Sequence, residues 1–255
     1  MLTVGIDVAS QEARTAICAI RWKGGAARIE PLGSRGANDD AVARSIERAD
    51  RAGIDIPLGW PDAFVDAVGR HHRSEPWPAA AGAAGDAMRA LRLRATDVWL
   101  TDRARRPSEP AARCYPMSVS SNLIAIPAMR MARVLGPIDR SGAGRVIEVY
   151  PAAALFVWDL PYRGYKGPKA ERRATRQALV AGLRAMAPWL SAATGDWALI
   201  GENDHVLDAL IAALVARAKD RGLCDESYDE ASERARREGW IALPLRDALS
   251  RLNED

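Results

Sequence analysis

Apolar positions run along the chain in two rhythms. Residues 2–8 form a short, nearly continuous apolar run, residues 14–22 and 27–32 repeat it, and Lys23-Gly24-Gly25 supplies the turn between the last two. Short apolar runs bounded by turn residues predict strands, here a three-stranded antiparallel meander. The rhythm then lengthens: Val42, Ile46 and Ala49 recur at helical spacing over residues 40–52, and Asn38 is placed to cap that helix. A fourth strand follows at once in Gly53-Ile54-Asp55-Ile56-Pro57. A meander, a crossover helix and a strand able to lie parallel to the first is an α/β order with a mixed sheet.

From about residue 60 to 145 the pattern loosens, interrupted by prolines at 76, 78, 107, 110, 116, 127 and 137, with short helices expected over 62–71 and 85–93. This stretch reads as an insertion. Val146-Ile147-Glu148-Val149-Tyr150-Pro151 resumes the core as a fifth strand, helices follow from about residue 152 and over 169–186, and residues 203–218 form an amphipathic helix. A last strand at 240–244 and a short C-terminal helix finish the chain. No internal repeat is present.

Length makes this one elaborated domain over 1–255 with the insertion at approximately 60–145, since domains average about 100 to 200 residues. The formal charge of +3 is mild, and the basic residues are almost all Arg, with Lys only at 23, 166, 169 and 219. Scattered Arg argues little for nucleic acid; only local clusters merit a phosphate-binding reading. Cys18, Cys114 and Cys224 match no disulfide framework or zinc spacing, and no leader or membrane-length apolar stretch is seen, so a cytoplasmic protein with no membrane partner is expected.

Carboxylates change the picture. Asp7, Asp55 and Glu148 each sit among branched apolar residues in a predicted strand, where an unpaired charge costs several kcal/mol or takes up a proton. On the helix over 203–218, Leu207, Leu210, Ile211, Leu214 and Val215 share one arc, and Asp204 and Asp208 fall at its edge, facing the sheet. Converging carboxylates need divalent cations, and oxygen-only ligation selects Mg²⁺ or Mn²⁺. Such a site suits phosphodiester hydrolysis with one or two metal ions. The plainer readings are that Asp7 and Asp55 close turns, that Asp204 belongs to the helix cap, and that Glu148 pairs with an Arg across the sheet.

These segments resemble the ribonuclease H-like superfamily, and within it the predicted nucleases catalogued as domain of unknown function 429. The likeness rests on Val4-Gly5-Ile6-Asp7, Ile54-Asp55-Ile56-Pro57-Leu58-Gly59, Ile147-Glu148-Val149-Tyr150-Pro151, Tyr165-Lys166-Gly167 and Asn203-Asp204-His205-Val206-Leu207-Asp208, with Arg94-Ala95-Thr96-Asp97 and Thr101-Asp102-Arg103 fitting the insertion. The resemblance implies a five-stranded mixed sheet flanked by helices, the first and fourth strands side by side and the insertion between the fourth and fifth. It implies Asp7, Asp55 and Asp208, with Asp204, as metal ligands; Glu148 matches a family motif to which the superfamily comparison gives no role, and either it or Asp204 is expected to complete the catalytic set.

The accessories follow from chemistry. Lys166 and Tyr165, in the glycine-bracketed loop of residues 162–169, suit a phosphate and a stacked base; Arg103, Arg105, Arg106 and Arg113 suit a phosphate track or a solvated face. His205, between the two helix aspartates, is a candidate general base. The expected function is a Mg²⁺- or Mn²⁺-dependent nuclease acting on DNA or RNA, with a homodimer as a further option. The alternatives are an ATP-dependent phosphotransferase of the actin-like and sugar-kinase branch and a catalytically inactive nucleic-acid-binding adaptor of the same fold.

Overall fold

Strand β1 (Leu2–Asp7) is buried at every position and lies at the centre of the sheet. It pairs antiparallel with β2 (Ala16–Lys23), which pairs antiparallel with β3 (Ala26–Ile29), giving the expected meander. Helix α1 (Asp39–Arg48) starts at Asn38, whose Oδ1 accepts a bond from Ala41 N at 2.9 Å, and leads to β4 (Arg51–Asp55), parallel to β1. The computed structural model describes the chain except residues 34–35, 79–83, 104, 107–108, 121, 227–232 and 255, and of residues 84, 105–106, 109–113 and 122 it describes only the backbone.

The stretch between β4 and the next core strand holds α2 (Asp62–His72), α3 (Ala84–Arg92), α4 (Ala95–Arg103), a ribbon of β5 (Arg105–Arg106) and β6 (Glu109–Arg113), and α5 (Asn122–Leu135). The core resumes with β7 (Val146–Val149), α6 (Pro151–Val157), α7 (Ala170–Met186), β8 (Leu190–Ser191), α8 (Thr194–Glu202) and α9 (Asp204–Asp220). The chain closes with α10 (Glu233–Glu238), β9 (Ile241–Ala242) and α11 (Ala248–Arg251). Among the described residues seven strands form one sheet, in the order β8-β3-β2-β1-β4-β7-β9. The five expected strands are therefore too few. The additions, β8 and β9, are two-residue edge strands. Of these, β9 falls in the run at 240–244 that the sequence marks as a last strand, beyond the five the resemblance implies, whereas β8 and α8 are too short or irregular to carry a distinct signal.

Helix α9 crosses one face of β1, β2 and β4 and is buried on all sides from Val206 to Ala218, not on one arc as its amphipathic pattern suggested. The sheet lies on one side of it, and α6, α8 and α11 pack against it as well. Two glycines let it approach. A Cβ on Gly5 would lie 1.9 Å from Ala209 O, and one on Gly53 would lie 2.4 Å from Ala212 O. Gly5 and Gly53 are cross-strand partners, so they form one flat seat for the helix backbone.

Strand parity distributes the acids. Leu2, Val4 and Ile6 of β1 and Ala52 and Ile54 of β4 enter the core on the side opposite α9, which leaves Gly5, Asp7, Gly53 and Asp55 facing α9. On β7, Val146 joins that opposite core, whereas Ile147 and Val149 join the core around α9. Glu148 is paired in register with Ile54, so it faces away from Asp55.

Candidate metal centre

Asp7 and Asp55 end their strands as register partners, and α9 brings Asp208 over them from its second turn. Among the described residues, one carboxylate oxygen from each of Asp7, Asp55 and Asp208 lies within 4.8 Å of the others. Asp7 and Asp208 are buried and Asp55 half-buried. The convergence is built by the parallel register, which aligns the strand acids, and by the glycine seat, which lowers the helix onto them.

Electrostatics reflect the crowding. Burial lifts the Asp55 carboxyl well above its ordinary value, opposed by Lys166 and reinforced by Asp7 and Asp208. Asp208 is pushed up to about 6, chiefly by burial, again opposed by Lys166 and reinforced by Asp7. Lys166 Nζ lies 2.7 Å from Asp208 Oδ2 and 3.9 Å from Asp55 Oδ2. Although its partial desolvation works against the charge, the surrounding aspartates hold the ammonium above the ordinary lysine value. The Lys166 side chain is still 52% exposed, so it can withdraw into water.

Around this centre the loop from α6 to α7 is firmly held. Arg176 donates to Tyr165 O at 2.6 Å and to Gly167 O at 2.9 Å, and Gly167 N donates to Asp204 Oδ2 at 2.8 Å. Gly167 has a φ of +105°, a left-handed backbone that its missing side chain permits. Asp204 thus serves as an anchor for the loop and is not among the converging oxygens. The cap of α9 belongs to Asn203, whose Oδ1 accepts from His205 N at 2.9 Å. His205 Nδ1 meets Asp7 Oδ2 at 2.5 Å, and that bond raises the imidazole pKa.

Three expected roles change. Tyr165 cannot stack a base: it is 1% exposed, and its hydroxyl donates to Asp208 Oδ1 at 2.7 Å. Glu148 is held in a buried ion pair, with Arg94 Nη2 at 2.6 Å from Oε1 and Nη1 at 2.7 Å from Oε2. Leu58 N also donates to Glu148 Oε2 at 2.9 Å. Glu148 borders the cleft but stands outside the carboxylate group, as strand parity requires. Arg103 Nε lies 3.5 Å from Asp225 Oδ2 and is not in the lining of the cleft. The side chains of Arg105, Arg106 and Arg113 lie outside the described residues.

Asp7 and Asp55 line a cleft of about 270 Å³ at the carboxyl ends of β1 and β4. Lys166, His205 and Arg14 line its polar part, and Met117, Leu123, Ile124 and Pro127 its apolar wall. Sequence reasoning missed Arg14, which ends a three-residue 3₁₀ turn over Glu12–Arg14, and the apolar wall, most of which lies on α5, a helix whose pattern its internal Pro127 obscured. Arg130 from α5 was missed for the same reason. It donates to Ala9 O and to Thr15 Oγ1, both at 2.8 Å, and pairs with Asp39 at 2.6 Å, fixing the loop that follows β1.

Three buried or half-buried oxygen donors around one point, with no thiolate or neutral imidazole among them, fit a hard divalent cation such as Mg²⁺ or Mn²⁺. Among the described residues no helix is long and apolar enough to cross a membrane. No curated protein and no solved structure matches the chain. The family described as "Protein of unknown function (DUF429)" matches residues 5–233, nearly the whole chain, and the chain belongs to that family.

Proposed function

We propose that the chain is a divalent-metal-dependent nuclease of the ribonuclease H-like superfamily, hydrolysing phosphodiester bonds in DNA or RNA. The observation that carries this reading is the convergence of Asp7, Asp55 and Asp208 from two strands and a helix, with Asp7 and Asp55 lining an open cleft. A Mg²⁺ or Mn²⁺ ion held there supplies positive charge for the phosphoryl oxygens and a bound water of lowered pKa.

The chain's own residues divide the remaining work. Asp7, Asp55 and Asp208 provide the ligand oxygens, and Tyr165, donating to Asp208 at 2.7 Å, fixes the orientation of that carboxylate. Lys166, once withdrawn from Asp208, remains close enough to the centre to meet a non-bridging phosphate oxygen. His205 Nδ1 is bonded to Asp7 Oδ2, a contact that favours its imidazolium form. Its place beside the carboxylates suits it to proton transfer with a reacting oxygen.

A second reading has one observation in its favour. The Lys166–Asp208 contact at 2.7 Å already gives the cluster a cation, as an inactive nucleic-acid-binding adaptor would require. Incubation with single-stranded, duplex, hybrid and branched nucleic acids in Mn²⁺ separates the two. Cleavage by the wild type and its loss in Asp7→Asn is expected; no cleavage of any substrate, or equal cleavage by the variant, contradicts the proposal.

A further inference from the structure

Resting on the reading of the carboxylates as a phosphoryl-transfer centre, we infer that the apolar wall of the cleft seats one unpaired nucleobase, so that the substrate is single-stranded or locally unpaired nucleic acid. The cleft has two chemistries side by side. Asp7, Asp55, Lys166 and His205, from the strand ends, the loop before α7 and the start of α9, line it together with Met117, Leu123, Ile124 and Pro127 of the insertion. A nucleotide has the same division, with a charged phosphate at one end and a flat, largely apolar base at the other.

Exposure shows which of these side chains are available. Pro127 is buried and Ile124 packs on the core beneath α5, whereas Leu123 is 76% exposed and Met117 50% exposed at the mouth. Those two apolar side chains support little of the core, yet they line the same cleft as Asp7, Asp55, Lys166 and His205. Aliphatic side chains can sandwich an unpaired base without reading its sequence.

Volume sets the size of the occupant. At about 270 Å³ the cleft is slightly smaller than the roughly 300–1,000 Å³ of ordinary small-ligand sites, enough for one base with its sugar and phosphate. A paired base would have to enter with its partner, or leave the stack at a cost of a few kcal/mol in the duplex. Single strands avoid that cost.

The test reads binding, in Ca²⁺, by fluorescence anisotropy. A fluorescein-labelled single-stranded dodecamer is compared with the same strand in a blunt duplex, and a mononucleotide and inorganic phosphate serve as competitors. The single strand is expected to bind at least about tenfold tighter than the duplex, and Met117→Ala with Leu123→Ala to lower its affinity about tenfold while changing duplex affinity less than about twofold. Failure of the mononucleotide and of phosphate to compete at equal concentration supports a strand in the seat, whereas competition by either at equal concentration overturns the strand as substrate. Equal affinity for single strand and duplex overturns it. So does unchanged binding in the double variant, or loss of self-association in that variant with nucleotide affinity intact. Thermal melts of the variant should match the wild type, because these side chains are so exposed. If the binding pattern holds but nothing is cut in Mn²⁺, the hydrolase reading fails and the seat stands. Cleavage of both substrates at the same rate by wild type and double variant does the opposite: the seat fails and the hydrolase reading stands.

Discussion

Lys166 is a residue whose surroundings decide its behaviour. Three carboxylates surround its ammonium, and its half-exposed side chain would allow it to leave if a divalent ion took its place as proposed. Lys166→Met should therefore tighten Mn²⁺ binding by roughly tenfold in a calorimetric titration, since a unit charge a few ångströms from the ligands no longer opposes the ion. Weaker binding in the variant would contradict the counter-ion role. Protons compete for the same oxygens. Asp208 titrates at about 6 in the fold against 3.8 ordinarily, and Asp55 shifts the same way. The folded state thus binds more protons than the unfolded one across this window, so these groups' contribution to stability is present below the ordinary value and lost as pH rises through about 6. A bound ion reverses that loss. The rise in melting temperature given by Mn²⁺ should grow from about pH 5 to about pH 7, and a rise independent of pH would contradict the assignment.

At the scale of elements, the site depends on how closely α9 lies on β1 and β4. Any side chain at Gly5 meets backbone atoms of α9, which cannot move without shifting Asp208. Gly5→Ala should destabilise the protein by about 3 kcal/mol or more, read as a lower urea midpoint, because overpacking against backbone has no flexible neighbour to absorb it. An unchanged midpoint would show that the helix is not seated as described. Much of this level was legible in the sequence: the meander, the Asn38 cap, the helix bearing Asp208 and the adjacency of the strands bearing Asp7 and Asp55. Register was less legible. Glu148 resembles Asp7 and Asp55 in its apolar flanks, but its pairing with Ile54 turns it to the other face, and a one-residue difference in phase leaves no trace in local composition. Tyr165 is a similar case, since a glycine-bracketed loop looks solvated until Arg176 is seen holding it inward.

The whole molecule is joined by a buried charge network at the insertion. Arg94, at the start of α4, binds Asp97 and Glu148 and donates to Glu238 O at 3.1 Å. The Glu238 carboxylate accepts from Asp62 N at 2.9 Å and from Ala95 N at 2.7 Å. Helices from the insertion, strand β7 and the C-terminal segment are thereby tied to one guanidinium. Arg94→Met leaves Glu148 and Asp97 buried without their cation and should cost about 3–5 kcal/mol, measured by urea denaturation; a loss below about 1 kcal/mol would contradict its role as a clamp. Part of this network was legible, since an Arg partner was one plain reading of Glu148 and Arg94-Ala95-Thr96-Asp97 stood out as a segment; the contributions of Asp62 and Glu238 were not, because they lie far along the chain from Arg94.

Calorimetric titration of Mn²⁺ into the wild type and into Asp55→Asn, with both shown to be folded, tests the carboxylate centre most directly. Saturable binding by the wild type that is weakened at least about tenfold in the variant is the predicted result, since the proposed site would lose one of its three carboxylates. No saturable binding by the wild type, or the same affinity in Asp55→Asn, would contradict it.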